Sequence, residues 1–545
     1  MPVTLHVDGR TVEVVDETTT LLAVLRDQLA ICSVKDGCSP QGQCGCCTVL
    51  VDGVARVACV TPVRRLAGRQ VTTVDGLDPE VAARWAEAFA AAGASQCGFC
   101  SPGIILRLVA EADKPSPNPA QALLAHLCRC TGWQPIVEAF GLATGSAAGA
   151  VPGDGQPVSL PATAVRDLEA AARRAELEGG VPQQVGPAVA LGRGGFADDG
   201  APADALVAVP DGSGGWMTAA SLADARRAAG KVQGRRTTVA PPHPIDVPPG
   251  SWDVVLQTSW VDPGYLETDA SWCVPGGEPA GVLGNGGAFG GKLASPVAEE
   301  ARKLAASTGR PVRLLWSRED VVANGPKRPP IAAGVDLPAR RVVARVARTA
   351  AVAERMQAGF AAAIEAAGAV GALRPGTGTP ELVLEEVDVA GPPTSVALRA
   401  AGWAEGVVLG STLWERAVPV RQPAGGTATC TIGPDGAIAV EVDAGEVLDE
   451  VVLRSYCIGA VHMAASWVSA ECLTVSAEGT VQDLTVRSLG VLRAVDLPPV
   501  RWSAHPGAPE AGPLAVSDAV FAVTAAAVWA GHDRAPSWPT RRPLR

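Results

Sequence analysis

Alternating apolar and polar positions open the chain. Residues 3–16 (VTLHVDGRTVEVVD) alternate around Asp8-Gly9, which predicts a β-hairpin. The next apolar residues, in TTLLAVLRDQLA, recur at helical spacing behind a threonine cap and predict a helix. TVLVDGVARVACVTPV predicts a second hairpin that turns at Asp52-Gly53. Strands around a single helix indicate a small α+β unit that ends near residue 78.

The pattern becomes helical between residues 79 and 143. Three segments, VAARWAEAFAAAG, SPGIILRLVAEA and PAQALLAHLC, predict helices separated by glycine and proline. Residues 144–185 begin with Gly, Ala, Pro and Ser and continue as a charged helical stretch, which is typical of an exposed linker. The rest of the chain mixes short strands and helices with many glycines and prolines, and it has no internal repeat.

Length and composition indicate a multidomain globular protein. The chain has 545 residues, of which 47% are hydrophobic and 19% are charged, so several well-buried cores are expected. A net charge of -11 argues against a nucleic-acid surface. The amino terminus lacks the pattern of a signal peptide, and no uninterrupted apolar run is long enough for a membrane span. We therefore expect a soluble, cytoplasmic protein.

Cysteine spacing carries the strongest chemical signal. Ten of the 14 cysteines precede residue 131, and close spacing in a reducing compartment indicates metal ligands more than disulfides. Two sets can each supply four thiolates to a [2Fe-2S] cluster, Cys38, Cys44, Cys47 and Cys59 in the first and Cys97, Cys100, Cys128 and Cys130 in the second. Zinc is the alternative metal. Cys32 and Cys46 have no matching partners and are expected to be buried thiols.

Three segments, GCSPQGQCGCCTVLVDG, QCGFCSPGII and LCRCTGW, resemble the two-cluster iron–sulfur module of the xanthine dehydrogenase / aldehyde oxidase (molybdenum hydroxylase) family. The resemblance covers residues 1–143. It implies a plant-ferredoxin-type cluster on the first cysteine set, lying toward a flavin, and a second cluster lying toward a molybdopterin cofactor. The family usually has four residues between its first two ligands, whereas five separate Cys38 from Cys44. We therefore expect the loop to bulge by one residue.

Fragments of the remaining chain resemble the molybdenum-binding subunit of that family. GNGGAFGGK is similar to its glycine loop, which implies a possible molybdopterin contact at Gly284, Gly286, Gly287, Phe289, Gly290 and Gly291. SVALRAAGW resembles its active-site arginine segment, and HPGAPEAGPLAV aligns with the segment of its catalytic base, which implies catalytic roles for Arg399 and Glu510. Two family segments are missing, and Met463 replaces a cofactor-contacting glutamine next to Ala464 and Ser466 in place of glycines.

These features predict an α+β multidomain fold in five parts: a β-grasp ferredoxin-like domain at 1–78, a four-helix-type domain at 79–143, a linker at 144–185, a remnant of a small α/β domain at 186–240, and a shortened molybdopterin-binding-type domain at 241–545. The function they indicate is an iron–sulfur electron-transfer subunit with two partners, which are a full-length molybdenum-binding subunit plus an FAD-binding subunit. One alternative is a molybdenum hydroxylase in which this chain binds molybdopterin itself and uses Glu510 as base. Another is a scaffold whose cysteines bind zinc.

Overall fold

The computed structural model describes residues 2–146, 166–230, 234, 243–505 and 512–544. Its amino-terminal sheet has the strand order β2-β1-β5-β3-β4, with β1 and β5 parallel and the other neighbours antiparallel. The strands are β1 (Val3–Val7), β2 (Arg10–Val14), β3 (Thr48–Val51), β4 (Val54–Val57) and β5 (Gln70–Thr72). Both predicted hairpins are therefore confirmed.

The two hairpin turns show why the sequence folds this way. Asp8 and Gly9 have φ of 48° and 76°, and Asp52 and Gly53 have φ of 48° and 77°. Two successive positive φ angles define the turn that best matches the twist of antiparallel strands, and Asp-Gly adopts it readily. The predicted helix behind Thr20 is also present, as α1 (Leu21–Ala23) followed by a π-helical segment, and the Thr20 side chain accepts from the backbone N–H of Ala23.

Four helices follow: α2 (Pro79–Ala92), α3 (Ser101–Ala112), α4 (Pro119–Ala122) and α5 (Gln134–Thr144). The Asp78 side chain caps α2. The helix predicted over PAQALLAHLC is much shorter in the structure, since α4 ends at Ala122 and one 3-10 turn follows it. The chain then becomes extended at His126, so that Cys128 and Cys130 lie in a loop and not at a helix end.

Three further four-stranded sheets have the orders β7-β6-β10-β9, β13-β12-β11-β8 and β14-β15-β16-β17. Their strands are β6 (Leu206–Pro210), β7 (Trp216–Ala219), β8 (Val254–Gln257), β9 (Ala270–Cys273), β10 (Val312–Leu315), β11 (Ile331–Asp336), β12 (Arg341–Ala347), β13 (Glu381–Val387), β14 (Val420–Arg421), β15 (Thr427–Ile432), β16 (Ile438–Asp443) and β17 (Val500–His505). Strand β6 pairs with β10 in parallel, so this sheet crosses the domain boundary predicted at residue 240.

Nine helices lie among or beside these sheets in the described part of the chain: α6 (Leu168–Gly179), α7 (Pro187–Ala190), α8 (Leu222–Ala229), α9 (Val297–Thr308), α10 (Arg318–Asn324), α11 (Val352–Ala369), α12 (Trp403–Gly410), α13 (Glu450–Ser469) and α14 (Ser517–Gly531). Helix α13 is long and apolar enough to cross a membrane, but 94% of its most apolar window is buried inside the fold. Burial of this kind is typical of a core helix.

Candidate functional site

The first predicted cysteine set converges in the structure. The Cys38 thiol contacts those of Cys44 and Cys59, and the Cys59 thiol also contacts that of Cys47. All four side chains are at most 2% exposed. Backbone N–H groups approach two of the sulfurs: that of Gln41 lies 3.2 Å from Cys38 Sγ, and that of Cys59 lies 3.4 Å from Cys47 Sγ. The loop and the following hairpin thus bring four buried thiols to one small space.

The loop between Cys38 and Cys44 has an unusual backbone conformation at Ser39. Ser39, directly after Cys38, has φ of 57°, a conformation that side-chain-bearing residues rarely adopt. Its backbone N–H donates to the Asp36 carboxylate at 2.9 Å, and its side chain is buried. Gly42 in the same loop also has a positive φ, of 69°, and the bulge expected from the five-residue spacing stays a prediction.

The second set forms two pairs of thiols. Cys97 Sγ lies 3.6 Å from Cys130 Sγ, and Cys100 contacts Cys128. Cys100 is the residue before α3, where the backbone turns into the helix, and Cys128 Sγ lies 3.2 Å from the hydroxyl of Thr131. The start of α3, at Cys100, therefore faces the loop that carries Cys128 and Cys130. The sequence had predicted the end of a helix in place of this loop.

The donor chemistry fits two-iron clusters. In a [2Fe-2S] cluster each iron takes two cysteines, and the contacts Cys97–Cys130 and Cys100–Cys128 of the second set form two such pairs. Both cysteine sets therefore offer the ligand type that a [2Fe-2S] cluster takes, and the assignment of the eight ligands stays a prediction.

A short backbone connection joins the two sets. The N–H of Leu127, next to Cys128, donates to the carbonyl of Cys44 at 2.9 Å. Beside it, the His126 ring lies against Gly45, where an added Cβ would be 2.4 Å from the ring, and Thr48 Oγ1 is 3.1 Å from His126 Nε2. Burial lowers the pKa of His126 to about 3, so that the ring is neutral at neutral pH. Nothing in the cysteine spacing had indicated His126.

The glycine loop at 284–291 packs directly against the second cysteine set. A Cβ on Gly287 would lie 3.0 Å from Cys97 Sγ and 3.3 Å from Cys130 Sγ, so only glycine permits this approach. Asn285, whose side chain is buried, donates to the carbonyls of Gln96 at 3.3 Å and Cys97 at 3.5 Å. The loop is thus fastened to the segment that carries these thiols.

The neighbouring loop positions are equally tight. A Cβ on Gly290 would meet the Ala397 carbonyl, and one on Gly291 would meet the Tyr265 ring at 2.5 Å. At the end of the loop, Lys292 pairs with Glu267 at 2.7 Å, and both side chains are buried. Burial raises the pKa of Glu267, although the ammonium group of Lys292 opposes that shift. The pair borders a small cavity that Cys97, Cys100 and Cys130 also line.

Arg399 lies on the other side of the glycine loop. Its guanidinium is 4.6 Å from the centre of the Phe289 ring, and its Nη2 donates to the Glu178 carbonyl at 3.1 Å. With Phe289 and Asp518 it lines a cavity of about 220 Å³. Glu510, the predicted base, lies outside the described residues. The structure therefore places Arg399 and the glycine loop together, as the family resemblance implied, without Glu510.

The space beside the second cysteine set does not fit a pterin. The cavity bounded by Cys130 and Gly287 is about 10 Å³, and the one bounded by Arg129, Arg399 and Met463 is about 30 Å³. About 10–15 Å³ on this measure holds a single water. Met463 fills the gap toward Arg399, with its Sδ 4.0 Å from Nη1. The larger cavity near Arg399 is separated from these thiols by the glycine loop.

Comparison with known proteins agrees with this geometry. The [2Fe-2S] binding domain family matches residues 73–141. A nicotinate dehydrogenase subunit of Pseudomonas putida is 42% identical over 134 residues, which are 24% of this chain and 85% of that protein. This chain belongs to the molybdenum hydroxylase family. Aldehyde oxidoreductase of Megalodesulfovibrio gigas is 43% identical over 133 residues, which are 23% of this chain.

Sequence identity to the longer molybdenum hydroxylases is confined to a small part of each protein, whereas the similarity in fold extends over nearly the whole chain. The aligned segment spans 15% of that aldehyde oxidoreductase and 10% of the xanthine dehydrogenase of Drosophila subobscura, which is 40% identical. The solved structure of an aldehyde oxidoreductase from Desulfovibrio gigas superposes with a TM-score of 0.64, covering 97% of each chain at 14% identity. The predicted α+β multidomain fold of the molybdenum hydroxylase type is thus confirmed, for the fold alone beyond the iron–sulfur region.

Proposed function

We propose that this chain is the iron–sulfur, electron-carrying subunit of a molybdenum hydroxylase complex. Cys97, Cys100, Cys128 and Cys130 would hold the cluster that receives electrons from a molybdenum site on one partner, and Cys38, Cys44, Cys47 and Cys59 would hold the cluster that delivers them to an FAD-binding subunit. A [2Fe-2S] cluster accepts and releases one electron. We further propose a cytoplasmic location, since all 14 cysteines are free thiols.

The observation that carries this proposal is the backbone hydrogen bond between the two sets. One 2.9 Å contact, from Leu127 N–H to the Cys44 carbonyl, connects the residue before Cys128 to Cys44 itself. Seven of the eight thiols are buried and Cys97 is half-buried, so little water would reach either cluster, and the shared contact holds the two sets at a fixed separation. Two relatives that this chain covers over more than four fifths of their length are themselves named as subunits. They are the nicotinate dehydrogenase subunit of Pseudomonas putida and an isoquinoline 1-oxidoreductase subunit of Brevundimonas diminuta, 82% of which is covered.

Metal analysis of the purified full chain tests the proposal. We expect roughly four irons and four labile sulfides per chain, as two [2Fe-2S] clusters require, and no molybdenum. Zinc in place of iron would contradict the proposal. One molybdenum per chain together with the iron would favour the alternative described next.

The alternative function is a molybdenum hydroxylase in which this chain binds molybdopterin itself. The observation in its favour is the 220 Å³ cavity, which brings Arg399, Phe289 and Gly290 together behind the glycine loop. There Arg399 would orient a substrate and Glu510 would act as base. The small cavities beside Cys130 and the side chain of Met463 argue against this alternative, because a pterin needs space that these residues fill.

A further inference from the structure

The loop of the first cysteine set carries a fifth thiol, Cys46. Its side chain is 1% exposed, and its thiol contacts that of Cys44. Gly37 shows how closely the two sulfurs approach: a Cβ there would lie 3.1 Å from Cys46 Sγ and 3.2 Å from Cys44 Sγ. The two thiols therefore meet in a space from which any larger residue at position 37 is excluded.

The sulfurs of the first set differ in what approaches them. Cys38 and Cys47 each have a backbone N–H nearby, at 3.2 Å and 3.4 Å. At Cys44 the neighbouring groups are the thiol of Cys38, which is another predicted ligand, and the thiol of Cys46. A cysteine that ligates iron is a thiolate and accepts hydrogen bonds, whereas a neutral thiol is a weak donor. With a cluster bound, the S–H of Cys46 has the Cys44 sulfur as its acceptor.

The backbone of Cys46 lies on the side of the first set that contacts α3. Its backbone packs against α3, the helix that begins directly after Cys100. The backbone of Gly103 on α3 touches the same segment, since a Cβ at Gly103 would lie 2.8 Å from the Cys46 carbonyl oxygen. The Cys46 segment is thus fixed against the helix that follows Cys100, one of the predicted ligands of the second cluster.

We propose that Cys46 is a positioning residue that raises the reduction potential of the first cluster through the sulfur of Cys44. This inference rests on the proposed electron-transfer function. Reduction adds negative charge to the cluster, and a hydrogen bond to a ligand sulfur stabilises that charge. The bond therefore favours the electron on the first cluster relative to the second, which is the direction that delivery to a flavin subunit requires.

The test is a redox titration of the full chain, followed by the paramagnetic signal of each cluster, for Cys46→Ala and Cys46→Ser. In Cys46→Ala we expect the equilibrium constant for electron transfer from the second to the first cluster to fall roughly tenfold, which equals about 59 mV for a one-electron couple. Cys46→Ser should restore most of the shift because its hydroxyl also donates. Both residues are smaller than cysteine, so neither collides with Gly37.

Cys430→Ala is the matched control, since it removes a buried thiol from strand β15 and should leave both potentials unchanged. The inference is overturned if Cys46→Ala leaves the first potential unchanged, if both clusters shift equally, or if the serine variant behaves like alanine. If the paramagnetic signals of both clusters remained in those cases, the proposed electron-transfer function would still hold. A wild-type chain without iron would instead overturn both the inference about Cys46 and the proposed function.

Discussion

The cysteines of residues 2–146 and those of residues 243–544 are alike in burial and differ in arrangement. In the first region the eight predicted ligands gather into two sets, with Cys97–Cys130 as close as 3.6 Å. In the second region Cys430 lies on β15, Cys457 on α13 and Cys273 on β9, in separate elements. There burial alone raises the pKa of Cys430 to about 12, so that it stays a neutral core thiol. Convergence, and not burial, makes a cysteine a candidate ligand.

The same two regions differ in how they resemble the molybdenum hydroxylases. The first is 43% identical to an aldehyde oxidoreductase over 133 residues, whereas the fold match over 97% of the chain has only 14% identity. Cluster ligands tolerate no substitution, while a fold tolerates many substitutions that preserve volume and pattern. The second region matches in fold alone, and there Met463 packs against Arg399.

The largest effect is expected when a predicted cluster ligand is replaced. It distinguishes the predicted ligands from the buried cysteines of the second region. Cys59→Ser should abolish one of two distinguishable [2Fe-2S] signals, because Cys59 contacts both Cys38 and Cys47, and should leave the other signal intact. Cys430→Ser is the control from the second region and should keep both signals. Electron paramagnetic resonance of the reduced variants measures the outcome. Survival of both signals in Cys59→Ser would remove Cys59 from the ligand set.

The next effect concerns the ion pair that joins the two regions. Arg129, between Cys128 and Cys130, forms a bidentate pair with Glu471, and both side chains are at least 95% buried. Arg129→Met should destabilise the chain by about 3–5 kcal/mol, because it leaves an unpaired buried carboxylate. The midpoint of urea unfolding measures this change.

Two variants sharpen the Arg129 experiment. Arg129→Met/Glu471→Met should recover most of the lost stability, since no unpaired charge remains. Arg345→Met is the control, because Arg345 pairs with the exposed Glu385 at 2.8 Å and such pairs contribute about 0–1 kcal/mol. If Arg129→Met and Arg345→Met shifted the midpoint equally, the pair across the regions would have no special role.

A smaller effect is expected at the contact between the two cysteine sets. Gly45 and Gly53 have nearly the same φ, 75° and 77°, but a Cβ on Gly45 would meet the His126 ring while one on Gly53 would meet no atom within 4 Å. Alanine at either position should cost about 1–2 kcal/mol for its conformation. Gly45→Ala should cost about 1–3 kcal/mol more for overpacking.

The Gly45 effect is measured by chemical unfolding of the two alanine variants side by side. Gly45→Ala/His126→Ala should recover the difference between them, because the smaller residue at 126 makes room for the new methyl group. Equal losses in Gly45→Ala and Gly53→Ala would mean that the His126 ring moves freely and does not hold the two sets together.

The smallest expected effect lies at Glu510. If the second region has no catalytic site of its own, Glu510→Gln should change neither the iron content nor the rate at which the clusters are reduced by dithionite. Stopped-flow absorbance of the two proteins checks this. If the purified wild-type chain had a hydroxylase activity that Glu510→Gln lacked, the second region would have a catalytic site of its own. That result would favour the alternative function.

Local patterns in the sequence predicted several elements for reasons that are themselves local. Asp8-Gly9 and Asp52-Gly53 predicted the hairpins because a two-residue turn depends on only those φ angles. The helix predicted over PAQALLAHLC was wrong beyond Ala122, because the Leu127 N–H bonds to the Cys44 carbonyl and not within a helix. A contact between residues far apart in the chain overrode a local propensity. The domain ranges and the ligand assignments stay predictions.

The sequence by itself determined the chemistry that this chain offers, because a cysteine's identity and its spacing within one loop are properties of neighbouring residues. Tertiary structure alone decided which groups meet across distance: Gly287 against Cys97, Asn285 on the Gln96 carbonyl, and Gly103 against the Cys46 carbonyl. The packing density of a protein interior makes such contacts specific, since each depends on the volume of every neighbour. A short sequence pattern therefore does not predict these contacts.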